Sequence, residues 1–197
     1  MKKILSEQKN QLLIIIFATA LVYLNTLGNG LVWDDHLFIE KWSKMQNFDI
    51  VSLVKGSAPE AQGKIYRPLR SIIYAIDYKL WGQNPFFYHL QAILIHVGVT
   101  ILVFYIVRLL IFKAMSLRAE RSNLKPMGLL RRSSFAPRND KSIIPFVAGL
   151  LFGLHPIHTE TIDYISASME TWGSLFFFLS FYLYVRGSSP STSLRVK

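Results

Sequence analysis

The chain has 197 residues, 51% of them hydrophobic and 17% charged, with a mean hydropathy of +0.31. Those apolar residues fall in long blocks, which excludes an ordinary soluble domain and points to an α-helical membrane protein. There is no cysteine, so disulfides, thiolate metal sites and cysteine nucleophiles are excluded, and the formal net charge of +10 is concentrated in one stretch.

The first apolar segment covers 11–28 and follows Lys2, Lys3 and Lys9. No small-x-small cleavage pattern comes after it, so it reads as an uncleaved signal anchor. A polar stretch, 29–85, opens with Trp33-Asp34-Asp35-His36. Within it Ile65, Leu69, Ile72, Ile73, Ile76 and Leu80 recur at helical spacing, and Trp81 stands at the end. This pattern predicts an amphipathic helix over 65–82, lying along a membrane surface. The second apolar segment, 86–112, is long enough to span with tilt.

Residues 113–142 form a basic loop. From Arg108 to Lys141 there are nine Lys or Arg residues against Glu120 and Asp140. Only Phe112 and Phe135 offer rings for base stacking, so the run is a positive-inside signal and not a nucleic-acid site. Its texture resembles a translated interspersed genomic repeat and predicts a disordered insertion. Segments 143–154 and 162–185, joined by His155-Pro156-Ile157-His158-Thr159-Glu160, read as a helical hairpin over 143–186, with a re-entrant pair as the alternative. Residues 187–197 read as a disordered tail.

The expected fold is therefore all-α: a multi-pass transmembrane bundle of about four membrane helices, with a surface helix in the first outer loop. Lys and Arg placement orients it. Both ends and 113–142 are basic, whereas 155–170 contains no Lys or Arg, only Glu160, Asp163 and Glu170. Both ends are expected in the cytoplasm, with 29–85 and 155–170 outside. The 29–85 loop, with seven basic and six acidic residues, is close to neutral.

Three constellations carry candidate chemistry. Asp34 and Asp35 suit a general base acting on an acceptor hydroxyl; the rival readings are a helix cap, a solvated turn or a divalent metal held with His36. His155, His158 and Glu160 are candidate cavity-lining residues. Metal ligation by them is the less favoured reading, because Pro156 disturbs their spacing. Arg67 and Arg70 suit a phosphate near the headgroup level, with simple headgroup contact as the alternative. His89 and His96 are seven apart on one helix face and are read as packing residues; Asp163 and Glu170, also seven apart, are candidates for lining a cavity.

Several phrases resemble a known family. Tyr23-Leu24-Asn25-Thr26-Leu27 leading to Trp33-Asp34-Asp35, then Tyr66-Arg67-Pro68-Leu69, Phe87-Tyr88-His89-Leu90, and above all 151–160, are similar to transmembrane O-mannosyltransferase-like proteins of the GT-C superfold. Such proteins often carry C-terminal tetratricopeptide repeats. The resemblance covers nearly all of the chain except 114–142 and the tail.

It implies a polyprenyl- or dolichyl-phosphate sugar donor and inverting transfer to a hydroxyl of a protein or glycan acceptor. It places the acidic catalytic residue at Asp34 or Asp35; with the residue reading above, Arg67 or Arg70 is then expected to help hold the lipid phosphate. No resident cofactor is expected beyond that donor, and no metal is assigned. The expected location is a bacterial inner membrane, with the lipid bilayer and the lipid-linked sugar as partners. Two departures stand out. A Gly-Arg pair common in the family is replaced by Ser166-Ala167-Ser168-Met169-Glu170, and the family has about twice as many membrane helices or more. The chain therefore resembles an N-terminal fragment. The rival reading is a non-catalytic membrane subunit or an inactive remnant.

Overall fold

The computed structural model describes residues 2–55, 66–123 and 140–188. Its α-helices are α1 (Lys2–Val22), α2 (Ser43–Gln46), α3 (Ile50–Val54), α4 (Pro68–Trp81), α5 (Pro85–Asn123), α6 (Asp140–Leu154), α7 (Thr159–Asp163) and α8 (Ser168–Gly187). Short 3-10 turns at Leu24–Gly28 and Pro156–His158, and a π-helical turn at His36–Glu40, link them. There is no strand among the described residues. The all-α membrane class expected from composition is what the structure shows.

Two helical stretches among the described residues are long and apolar enough to cross a membrane: Glu7–Gly28 and Pro85–Leu117. Counting Ile143–Leu154 with Pro156–Asp163 as one broken span gives three. The fourth expected helix, α8, is 20 residues long but is not among them. Its first turns carry Ser168, Glu170 and Thr171, which dilute the apolar run that starts at Leu175. It also starts later than the expected 162, because the chain turns at 164–167 before entering it. Helix α5 runs on to Asn123, so 113–123 is helical where the sequence suggested disorder. Residues 124–139 and 189–197 lie outside the described residues, and 140–142 open α6.

The chain divides into two compact units. The first comprises residues 1–19, 97–155 and 174–197. Here small residues let helices approach closely, as packing in lipid requires. A Cβ added at Gly149 would lie 2.9 Å from Ile15 Cδ1, and one at Gly153 would lie 2.9 Å from Thr100 Cγ2 and overlap Thr19 Oγ1. Ile15 and Phe104, both buried, lie against Gly149. At the end of α8 the Lys113 ammonium donates to the carbonyls of Val185 and Ser188, satisfying groups that the helix leaves unpaired.

The second unit comprises 20–96 and 156–173. Its core holds Phe38, Ile39, Trp42, Met45, Leu53, Tyr74, Ala75, Tyr88 and Ile165. Phe38 and Tyr74 stack in parallel with centroids 5.4 Å apart. Pro68 opens α4, where its missing N–H costs nothing. Gly82 ends α4 at φ +59°, a conformation that disfavours any side chain.

The amphipathicity expected of this helix is real, but its polar face is the one that packs. Ser71, Tyr74, Ala75 and Asp77 are buried, while Leu69, Ile76 and Leu80 are exposed. An apolar face turned away from the protein is what a helix lying on lipid needs.

Candidate functional site

The segment after the first 3-10 turn brings Asp34 and Asp35 into different environments. Trp33 adopts φ +48°, in the left-handed region that a bulky side chain rarely enters. Its ring meets Tyr164 edge-on at 5.8 Å. The Asp35 N–H then donates to the Val32 carbonyl at 2.9 Å, and the chain enters the π-helical turn. Such turns are frequent at functional sites.

Asp35 is fully buried. Its carboxylate accepts from Val32 N–H at 3.2 Å, Ser166 N–H at 2.8 Å and the Ser166 hydroxyl at 2.6 Å. These bonds hold the segment after α1 to the turn after α7, which is 131 residues away in sequence. Asp34 is exposed. Its charge acts on both Arg70 and Tyr164. The neighbouring His36 pairs through Nδ1 with Glu40 Oε2 at 3.0 Å, one helical turn on. Among the described residues no group of three or more His, Asp or Glu is placed to hold a metal ion.

Arg67 and Arg70 sit at the start of α4, three residues apart and so on one face. The Arg70 guanidinium lies 4.4 Å above the Phe38 ring. Burial pulls its pKa below the usual arginine value, while Tyr74, Asp34 and Tyr164 counteract that pull. Both arginines line a cavity of about 290 Å³, together with Ile73, Ser166, Glu170 and Trp172. That volume is at the lower end of the roughly 300–1,000 Å³ typical of small-molecule sites.

The structure brings Arg67 and Arg70 to one cavity, with the Asp34 charge acting on Arg70 and Asp35 bonded to Ser166, which lines that cavity. His158 and Glu160 are not among the residues lining that cavity, and His155 belongs to the first unit. His155 and Glu160 are exposed. His158 rests against His96 with ring centroids 4.8 Å apart, and His96 meets Tyr23 edge-on at 5.3 Å. The chain reverses through a 3-10 turn whose last carbonyl, that of His158, accepts from the Thr161 hydroxyl at 2.9 Å. His89 is fully buried, with Nδ1 3.5 Å from the Ile162 carbonyl. Of the pair seven apart, Glu170 does line the cavity.

Sequence reasoning missed Ser166, Tyr164 and Trp172. No local signal announces that Ser166 meets Asp35. The His36–Glu40 pair, by contrast, has the i, i+4 spacing of a helical contact and was readable.

No family model matches the chain, and no solved structure matches it. Curated relatives do. It is 29% identical to protein O-mannosyl-transferase TMTC2 of Mus musculus over 177 residues, covering 85% of this chain and 18% of that protein. It is 29% identical to protein O-mannosyl-transferase Tmtc3 of Drosophila melanogaster over 195 residues, 94% of this chain and 20% of that protein. With protein O-mannosyl-transferase TMTC1 of Homo sapiens it shares 31% over 146 residues, 70% of this chain and 14% of that protein. The chain thus spans a fifth or less of these relatives' length. By similarity over most of its own length, the chain is a member of the protein O-mannosyl-transferase-like family.

Proposed function

We propose that the chain is part of a membrane glycosyltransferase of the GT-C type, transferring a sugar from a polyprenyl-phosphate donor to an acceptor hydroxyl. The observation that carries this reading is the cavity lined by Arg67 and Arg70, with the exposed Asp34 carboxylate acting on Arg70. The two guanidiniums would hold the donor phosphate, and Asp34 would be the base. The acceptor oxygen attacks the anomeric carbon, its proton passes to Asp34, and the bond from that carbon to the phosphate oxygen breaks. The polyprenyl phosphate then leaves against the arginines, which stabilise its charge. Asp35 is already committed to three hydrogen bonds and is the weaker candidate for the base.

The same proposal includes a multi-pass topology with both ends cytoplasmic, in a bacterial inner membrane, and the cavity on the outer face. The exposed apolar ridge of α4 supports a position for that cavity at the lipid surface. The basic 113–142 stretch supports the orientation. A second reading, a non-catalytic subunit or inactive remnant, is favoured by Asp35 alone, whose bonds make the loop a structural tie.

The experiment is transfer of labelled hexose from a polyprenyl-phosphate donor to a hydroxyl-bearing peptide in membranes carrying the chain. Wild type should transfer label and Asp34→Asn should not. Full activity in Asp34→Asn would return the loop to the structural reading. Reporter fusions at residues 57 and 159 should face outward and one at 126 inward; an outward signal at 126 would overturn the orientation.

A further inference from the structure

The cavity is lined by side chains of opposite character. Arg67 and Arg70 contribute two cations from α4, and Glu170 contributes a carboxylate from the first turn of α8. The remaining polar lining is already constrained, since the Ser166 hydroxyl donates to Asp35 at 2.6 Å. Trp172 adds an aromatic surface. A bare phosphate suits the arginines and is repelled by Glu170. A neutral polyol suits Glu170, whose carboxylate accepts from hydroxyl groups, but makes no use of the paired guanidinium donors, whose geometry matches a phosphate. A ligand carrying both a phosphate and several hydroxyls satisfies the two together. An indole surface also suits the apolar C–H face of a sugar ring better than it suits a phosphate.

We propose that Glu170, with Trp172 beside it, recognises the sugar of a glycosyl phosphate whose phosphate is held by Arg67 and Arg70. This rests on the donor reading above and extends it to a residue that determines specificity. Glu170 discriminates glycosylated from unglycosylated lipid phosphate, and so favours loading of donor over retention of the spent carrier. Its position in the first turn of α8 also suits the helix dipole. That structural role predicts a loss of stability on removal and no change in ligand preference, which separates the two.

The test is equilibrium binding of polyprenyl phosphate and polyprenyl-phosphate hexose to the full chain in lipid nanodiscs, with thermal unfolding as a control for folding. Wild type should prefer the hexosyl lipid by about tenfold, the scale of one or two hydrogen bonds to a charged acceptor. Glu170→Ala should abolish that preference and leave affinity for polyprenyl phosphate unchanged, with Glu170→Gln intermediate. Arg70→Ala should weaken both lipids together. If Glu170→Ala keeps the preference, or weakens both lipids equally, the assignment of Glu170 is wrong while the donor reading stands. If wild type binds neither lipid, the donor reading fails and this inference fails with it.

Discussion

The two units bury different kinds of side chain. In the first, the buried polar side chains among the described residues are two threonines, Thr19 and Thr100. In the second they are Thr26, Asp35, Ser71, Asp77, His89, His96, Ser168 and Thr171. Every buried acid and imidazole that the structure describes therefore lies in the second unit. Burying such groups is costly unless they are hydrogen-bonded, and it recurs where chemistry needs a controlled environment. The first unit achieves close helix contact with Gly149 against Ile15 and Gly153 against Thr19 and Thr100. One unit is organised around shape and the other around polarity, so substitutions should separate them.

The largest effect is expected in the second unit. Asp34→Asn should lower sugar transfer by about 10²–10⁴-fold, the range for a lost general base, with thermal stability unchanged. Next comes a single methyl group in the first unit. Gly153→Ala places a Cβ against Thr19 and Thr100 and should destabilise by about 1–3 kcal/mol. At Gly173, in the second unit, an added Cβ meets nothing within 4 Å. There the alanine variant should be neutral or stabilising by up to about 1 kcal/mol, as helix propensity dictates. Chemical unfolding in detergent checks both; equal responses would erase the distinction between the units.

Asp35→Asn should cost about 1 kcal/mol, because the amide keeps one acceptor oxygen for Ser166 but loses the charge. Asp77 should act through pH instead: it is buried and accepts from Gln91 at 3.1 Å. Burial raises its pKa from 3.8 to about 7, against a lowering by the Gln91 bond. Between those two values the folded chain holds this proton more tightly than the unfolded chain does. Its contribution to stability therefore falls as pH rises through that window. Thermal unfolding of wild type from pH 4 to pH 8 should show a decline that is shallower in Asp77→Asn. An identical slope in the variant would remove Asp77 as the cause.

Periodicity made α4 legible to within a few residues, and apolar length did the same for the two spanning stretches. The direction of α4 was not legible. Ser71, Tyr74 and Asp77 stand between the apolar positions of the repeat, yet they are the buried side chains, while Leu69, Ile76 and Leu80 are exposed. The close approach at Gly149 and Gly153 had a local signal, two glycines four apart in an apolar helix. The adjacency of Asp34 and Asp35 was plain, but their division of labour was not. It depends on Ser166, which only the folded chain places beside Asp35. The 155–160 motif, conspicuous for its two histidines, shapes a turn and rests His158 at a tilt against His96.

Helix α4 carries its apolar ridge, Leu69, Ile76 and Leu80, on the same short rod that begins at the two arginines. If that ridge rests on lipid, the bilayer acts as a ruler for the site. The height of Arg67 and Arg70 above the acyl chains is then set by how deeply the ridge sinks. A donor anchored by its own lipid tail reaches them by diffusion in two dimensions, without leaving the membrane. Acyl-chain length and headgroup crowding would then tune donor capture as directly as any side chain in the cavity.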